Sequence, residues 1–560
     1  CGDDNSGIVG IEERWNKQLT GTAGKIVTVQ DVNKNAISDE TEQYVPVENG
    51  SNIYLTIDMT IQQIAEKYLK QAVDQNSCSG GGNVIVMNPQ NGDILAMATY
   101  PDYNLNDPYA IEPTGEAELW ETYTREQKNT AYFKLWTNKS VSKLYEPGST
   151  FKIITAAVAL EENLAGTDTP EDFMCTGSYQ VEDRNISCWR AEPHGSQTLR
   201  EALCNSCNPA FMQLGQRIGA NTLYQYFKAF GLFDSIGSDV AKTYHSVFHK
   251  LQNVGKVELA TISFGQRFEI SPLHLITAVS SIVNDGILVQ PKIVKQIENS
   301  DTGVIEVQED KTIRQVVSKE TSEKIKNMMQ SVVVNGTGRH AAVEGYTVGG
   351  KSGTSEPTVE HEDAGYVSSF IAVSPIENPQ VVVLTVLYDP EGETYQGGQT
   401  AGPVAANILT EVLPYLEIIK NNENVVTGEK NILTVPNIAS KTVASARGIL
   451  QTYGFDVQVN INGDENTSIV SDQMPKAGTT IEKGSIVYVY TNENDTRMSV
   501  KVPAVTGLTI DEARAKLKEN HLNVKIEGKE GYVITQEPQA DKSVEEGSIV
   551  DIVLQKKEEE

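Results

Sequence analysis

No run of apolar residues in this chain is long. The purely apolar stretches are short, such as Ala156–Leu160, against the roughly 18 residues needed to span a bilayer. Basic charge is also scarce. Lys and Arg total 46 against 75 Asp and Glu, a net charge of −29. A nucleic-acid partner is thereby excluded, because phosphate binding needs a basic surface. Docking on anionic lipid is excluded on the same ground. Cysteine is sparse, with 6 in 560 residues, too few for a disulfide scaffold. What is present is enough apolar residue, 39%, to build packed cores. The length suggests about three to five domains. The chain starts at Cys1 with no signal segment ahead of it, which reads as a processed or truncated chain whose membrane anchor would lie upstream.

Four cysteines cluster in sequence: Cys175, Cys188, Cys204 and Cys207. A structural zinc site usually uses two tight pairs, and here only Cys204–Cys207 is tight, so no metal is expected. In an exported protein, disulfides are the better reading, with partners unassigned. His245 and His249 lack the acidic partner of a His-Glu-x-x-His site and read as surface residues. Trp120, Trp136 and Trp189 read as packing anchors.

Residues 1–60 read as short strands and turns, with strands at Ile26–Val29 and Ile53–Ile57. Thr60–Gln75 reads as an amphipathic helix. Val84–Met87 and Ile94–Ala98 flank Asn91-Gly92, a strong hairpin signal. Residues 101–145 read as a polar excursion. Ser149–Leu160 is apolar on nearly every face and predicts a buried helix. Helical patterns recur at Leu199–Cys204, Ala210–Ile218, Pro272–Val283 and Ser322–Val334. Strands follow at Tyr346–Gly349, Val367–Val373 and Val381–Leu387, and Ala401–Leu416 closes as a helix. The first hairpin must join the late strands, which gives an α+β fold with a largely antiparallel sheet.

Residues 420–431 are polar and read as a linker. Beyond it the chain repeats itself. Gln473-Met474-Pro475 recurs as Gln536-Glu537-Pro538, and Gly484-Ser485-Ile486-Val487 as Gly547-Ser548-Ile549-Val550, both 63 residues apart. Two βαββ-type modules fit, at 432–492 and 499–556. The tail Lys556–Glu560 reads as disordered.

The chemistry starts at Ser149-Thr150-Phe151-Lys152. Ser149 follows Pro147-Gly148 and opens an apolar helix, over free backbone N–H groups that favour negative charge. Lys152 lies one turn on, on the same face. Burial pushes a lysine's pKa down, and an amine that shares a proton with a hydroxyl makes a serine nucleophilic. An N-cap serine with a snorkelling lysine explains this segment alone equally well. Ser140-Val141-Ser142-Lys143 has the same spacing, but lies in a polar stretch without a helical pattern. Ser206 and Asn208 offer a hydroxyl and an amide suited to relaying a proton and holding a substrate amide. Lys351, Ser352 and Thr354 can hold a carboxylate, and Gly353 lets a substrate backbone approach. Ser-x-x-Lys, Ser-x-Asn and Lys-Ser/Thr-Gly in this order are far more specific than any one of them.

With these motifs the chain resembles the class B penicillin-binding proteins, peptidoglycan D,D-transpeptidases, and its C-terminal repeats resemble PASTA modules. Lesser echoes are Gly336-Thr337-Gly338, Ser263-Phe264-Gly265-Gln266 and the stretch from Asn91 to Met97. The resemblance implies the penicillin-binding transpeptidase fold at 61–419, with the buried central helix starting at the nucleophile. It makes 1–60 the last part of a pedestal domain. It implies a Ser149 acyl-enzyme formed on D-Ala-D-Ala stem peptides or β-lactams, with Lys152 as base. Ser206 and Asn208 would serve proton relay and orientation, and Lys351, Ser352, Gly353 and Thr354 the carboxylate. Backbone N–H groups of Ser149 and Thr354 would hold the oxyanion. No cofactor is implied. A glycosyltransferase partner and a place on the outer face of the cell membrane, anchored by an N-terminal helix, are implied. Ser352 stands where the family often has Thr, and Arg267 where it usually has a small residue, which narrows or charges the site's rim. Cys207 lies inside the second motif, so oxidation with Cys188 or Cys204 would strain Ser206 and Asn208, and redox control is an expectation. The rival readings are a β-lactamase or sensor of the same fold, and a non-catalytic scaffold using the repeats.

Overall fold

The structure, a computed structural model, describes residues 6–27, 43–110, 120–236, 239, 245–356, 365–418, 420, 432–452, 454–459, 464–482, 484–491, 497–527 and 531–555. Nearly all of the expected linker and the tail Lys556–Glu560 lie outside the described residues. Two compact units are present, Cys1–Glu423 and Asn424–Glu560.

The first unit is built on a five-stranded antiparallel sheet. Its strands are β1 (Gly82–Met87), β2 (Ile94–Tyr100), β3 (Gly349–Ser355), β4 (Val367–Ser374) and β5 (Val381–Tyr388), in the order β3-β4-β5-β1-β2. The early hairpin therefore pairs with the late strands, Val84 opposite Thr385. Both faces are covered. Ile85, Met87, Leu384 and Val386 face one core, while Val84, Val86, Val383 and Leu387 face the other. This is why β5 reads as an apolar run broken only by the buried Thr385 instead of alternating. Helices α1 (Met59–Gln75) and α7 (Gly397–Tyr415) cover one face. Asp58 starts α1 by accepting hydrogen bonds from the N–H groups of Thr60 and Ile61.

The other face carries α2 (Lys152–Glu161), α3 (Leu199–Cys204), α4 (Asn208–Ile218), α5 (Pro272–Val283) and α6 (Lys319–Asn335). Every residue of α2 from Lys152 to Leu160 is buried. Ile153, Ile154, Val158 and Leu160 each contribute about 1.5–3 kcal/mol, which offsets placing one lysine among them.

Several expectations need correction. The polar excursion contains helices at Arg125–Trp136 and Lys139–Ser142. A capping box between Thr124 and Gln127 nucleates the first. The pattern escaped notice because that helix buries no residue and its apolar positions are not on one face. Residues 6–27 hold two short helices, Gly10–Arg14 and Asn16–Thr20, rather than strands alone. The strand expected at Tyr346–Gly349 begins at Gly349 instead. Asn52–Leu55 does form a strand, and it pairs with Val294–Glu298.

In the second unit each repeat has one helix, Val443–Thr452 or Ile510–Glu519. A three-stranded sheet follows in each, Asp456–Val459, Ile486–Thr491 and Val470–Met474 in the first. The strand ahead of each helix, Ile432–Thr434 or Ser499–Lys501, fits the βαββ pattern, and its short partner, Thr480–Glu482 or Ser543–Glu545, is an addition to it. The recurring glutamine has a structural purpose. Gln473 Nε2 donates to Pro436 O and its Oε1 accepts from Ile438 N, both at 3.0 Å. Gln536 repeats this with Pro503 O at 3.0 Å and Val505 N at 2.7 Å.

Candidate active site

Ser149 lies half-buried in a single tight turn, Gly148–Phe151, that runs directly into α2. The turn is pressed against β3. A Cβ on Gly148, whose φ is +54°, would stand 2.6 Å from Thr354 O. A Cβ on Gly353 would stand 2.8 Å from Pro147 O. Glycine is thus required on both sides of this contact, which brings the first and third motifs together.

Lys152 is fully buried. Its Nζ donates to Ser206 O and Asn208 Oδ1, both at 2.7 Å, and lies 3.4 Å from Ser206 Oγ. Burial lowers its pKa to about 7. Lys351, also fully buried, donates to Ser206 Oγ at 3.0 Å and to Ser352 O at 2.9 Å. Its pKa is pushed well below the ordinary lysine value, first by burial and then by the Lys152 charge. Ser206 is thus the shared partner of two buried amines. It sits in the left-handed region at φ 51°, costing about 1 kcal/mol, and this turns its carbonyl to Lys152.

Ser352 Oγ donates to Thr337 Oγ1 at 3.1 Å, and Thr337 N donates to Cys204 O. Thr354 Oγ1 accepts from Gly397 N at 3.2 Å. All eight expected site residues therefore fall on one network or its immediate wall. Thr337 and Gly397 join them. Gly336-Thr337-Gly338 was a faint signal, and Gly397 gave none.

The decoy serine-lysine pair takes no part. Ser140 is buried and accepts from Asn83 Nδ2 at 3.3 Å, and Lys143 stacks over the Tyr388 ring. His245 and His249 are exposed. Trp136 and Trp120 anchor an aromatic cluster with Tyr132. Trp189 does not, since it is 47% exposed, and its Nε1 donates to Asn205 O at 3.0 Å, one residue before Ser206.

Arg267 is exposed, at φ 66°, and its backbone N–H donates to Glu146 Oε1 at 3.0 Å. Burial raises the Glu146 pKa to about 7. The native state then binds the extra proton between pH 4.5 and 7, so stability falls as pH rises through that window. Glu146→Gln is expected to match the wild type below pH 4.5. Above pH 7 it should gain about 1–2 kcal/mol, a figure already reduced for partial exposure. Urea titrations at pH 5 and pH 8 read this, and an equal difference at both pH values would refute it.

The cysteines differ from the expectation. The five described ones are free thiols. Cys204 ends α3, packs in the main core, and burial raises its pKa to about 11. Cys175, Cys188, Cys207 and His194 instead bring their ligand atoms within 4.8 Å of one another. The wide sequence spacing that spoke against a metal is closed by the pairing of Phe173–Cys175 with Gly195–Gln197 and by the hairpin between them.

A serine at a helix start, one turn ahead of a buried amine whose pKa burial lowers, with a second buried amine donating to the hydroxyl of Ser206, is the machinery of a serine-type acyl-transfer enzyme. Comparison with known proteins agrees. The penicillin binding protein transpeptidase domain matches residues 82–410, and the PASTA domain matches 433–493 and 500–556. Stage V sporulation protein D of Bacillus subtilis (strain 168) is 34% identical over 503 residues, covering 88% of this chain and 74% of that protein. Peptidoglycan D,D-transpeptidase FtsI of Escherichia coli (strain K12) is 26% identical, covering 76% and 66%. The crystal structure of the D,D-transpeptidase domain of a peptidoglycan glycosyltransferase from Eggerthella lenta superposes with a TM-score of 0.59 at 28% identity, covering 75% and 90%. The chain belongs to the penicillin-binding protein transpeptidase family.

Proposed function

We propose the following division of labour for the peptidoglycan D,D-transpeptidase activity of this chain. Ser149 attacks the carbonyl between two D-alanines of a stem peptide, and Lys152 takes its proton. A neutral amine has two N–H bonds, and Ser206 O and Asn208 Oδ1 accept both. Its lone pair is then left for the Ser149 hydroxyl. Ser206, bridging Lys152 and Lys351, passes a proton to the departing D-alanine. Asn208 orients the substrate amide. Backbone N–H groups of Ser149 and Thr354 hold the oxyanion. Lys351, Ser352 and Thr354 bind the terminal carboxylate, whose charge restores the proton that burial takes from Lys351. Gly353 leaves room for the substrate backbone. An amine from a neighbouring strand then takes the acyl group, forming the cross-link. β-Lactams acylate the same serine.

The observation that carries this reading is the double hold on Ser206 by two buried lysines. The test is incubation with a D-Ala-D-Ala stem peptide and an amine acceptor. Release of D-alanine with formation of the cross-linked dimer is expected. A penicillin adduct that forms and vanishes quickly, without dimer, would point to a β-lactamase instead. No adduct at all would favour a scaffold built on the repeats.

Because the base must be neutral, the acylation rate is expected to rise with pH through about 7 and level off above it. Stopped-flow acylation from pH 5.5 to 9 reads this, and a flat profile would remove Lys152 as the base.

The organisation we propose is a pedestal remnant at 1–60, the catalytic domain at 61–419 and PASTA modules at 432–492 and 499–556. The polymer substrate places the enzyme at the outer face of the cell membrane. A membrane helix as anchor and a glycosyltransferase supplying the glycan strands fit this role. Among the described residues no helix is long and apolar enough to cross a membrane.

A further inference from the structure

We infer that the cavity where β2 and β5 end, walled by Lys134, Lys139, Lys143 and Asp389, is a binding site for a phosphate monoester. The cavity measures about 430 Å³. That lies within the roughly 300–1,000 Å³ of small-ligand sites and is more than one phosphate group fills. Its walls come from separate parts of the chain. Lys134 stands on the helix Arg125–Trp136, and Lys139 and Lys143 start and follow the helix Lys139–Ser142. Pro101 and Asp389 are the residues that directly follow β2 and β5.

The charge of this cavity runs against that of the chain. The whole carries −29, yet three lysines face one aspartate here. The lysines lie close enough to repel each other. The Lys139 pKa falls to about 8, first through burial and then through the charges of Lys143 and Lys134. Lys143 is lowered by burial and by Lys134, against the pull of Asp389. Like charges gathered in a partly buried space are costly until an anion joins them. A phosphate monoester brings nearly two negative charges at pH 7, which matches the excess of three lysines over one carboxylate.

The ammonium groups have donors to spare. Lys139 Nζ makes one long contact, 3.5 Å to Tyr100 O. Lys143 Nζ rests 4.0 Å from the centroid of the Tyr388 ring, a contact that engages its charge and not an acceptor. Each ammonium has three N–H bonds, so both can donate to ligand oxygens. Ser79 and Thr137 add hydroxyls to the same walls, and Leu135 adds an apolar side for the ester group. Among the described residues no guanidinium lines the cavity. Point charges converging from several directions suit a tetrahedral phosphate better than a planar carboxylate, which an arginine fork would match.

Two features without a part in acyl transfer gain a role here. Lys143 ends the Ser140–Lys143 stretch, which copies the spacing of the nucleophile motif. The helix Arg125–Trp136 buries no residue, so packing holds it only weakly. A dianion bridging Lys134, Lys139 and Lys143 would tie that helix to the ends of β2 and β5.

The test is isothermal titration calorimetry of the full chain at pH 7 and low salt, with glycerol 3-phosphate as the monoester. Inorganic phosphate and malonate are the comparison anions. Glycerol 3-phosphate should bind saturably at one equivalent, and malonate at least about tenfold more weakly. Lys139→Met and Lys143→Met should each weaken binding at least about tenfold, because each removes a facing charge. Asp389→Asn should tighten it at least about threefold by removing the one facing carboxylate. Lys319→Met removes an exposed lysine of α6 and should leave the affinity unchanged. Circular dichroism shows whether each variant is folded, and the gain in Asp389→Asn is a change that a damaged fold does not produce. No saturable binding by about 10 mM glycerol 3-phosphate would overturn the site. So would equal losses in Lys139→Met and Lys319→Met, which mean diffuse charge attraction. Malonate bound as tightly as glycerol 3-phosphate would overturn the choice of phosphate. Inorganic phosphate bound more tightly than glycerol 3-phosphate would overturn the ester.

Discussion

Ser149→Ala is expected to leave no penicillin adduct detectable by intact mass, and Lys152→Met to slow adduct formation by about 10³-fold, within the range for loss of a positioned base. The two variants separate nucleophile from base. Ser149 is half-buried in its turn, so losing its hydroxyl should leave stability within about 0.5 kcal/mol. Lys152 is different, because it is fully buried. Methionine fills nearly the same volume and removes the cost of placing an amine among Phe211, Phe264 and the rest of the core. It also leaves Ser206 O and Asn208 Oδ1 without their donor, which costs about 1–3 kcal/mol. These effects oppose each other, so the fold should survive and the rate should not. Because Lys152 charge depresses Lys351, the Met variant should also hold a proton on Lys351 more readily. Any residual acylation should then lose its dependence on pH near 7. A Lys152→Met protein that acylates at the wild-type rate would place the base elsewhere.

The three motifs were legible because each is short, ordered and set in a readable context. Ser149 opens an unmistakably apolar helix, and the Asn91-Gly92 hairpin is a local signal that needs no tertiary information. The register of β3 was not legible. Gly349-Gly350-Lys351-Ser352-Gly353-Thr354 has the composition of a turn, with three glycines and no β-branched residue before Thr354. It is a strand because neighbours crowd it. A Cβ on Gly349 would meet Ile376 at 2.5 Å, and one on Gly353 would meet Ser369 Oγ at 2.4 Å. Only the folded sheet contains that information. The same holds for the cysteines. Sequence spacing paired Cys204 with Cys207, yet α3 ends between them and the strand pairing of Cys175 with Gly195 decides the neighbours instead. Trp189 reaches the segment of Ser206 through Asn205 O, and nothing in its spacing marks it.

Gly265→Ala is expected to lower both the stability of the catalytic unit and its acylation rate. Gly265 has φ +91°, where an added Cβ costs about 1–2 kcal/mol in any surroundings. Here the Cβ would also stand 1.9 Å from Gly148 O and 2.9 Å from Phe151 Cβ. Gly265 O accepts from Gly148 N at 2.9 Å, so the two residues cannot separate without losing that bond. The turn holding Ser149 must therefore shift. Overpacking adds about 1–3 kcal/mol to the strain, giving a fall of roughly 5–10 °C in Tm. A misplacement near 1 Å at the nucleophile should lower acylation by about 10²-fold in the protein that stays folded. Gly219→Ala separates the two causes. Its φ is +79°, but its Cβ would meet nothing within 4 Å. It should show the backbone strain alone, a small fall in Tm with acylation unchanged. If Gly219→Ala and Gly265→Ala lose acylation equally, backbone strain and not the displaced Ser149 turn is responsible. The packing of Gly265 against Gly148 would then have no part in catalysis.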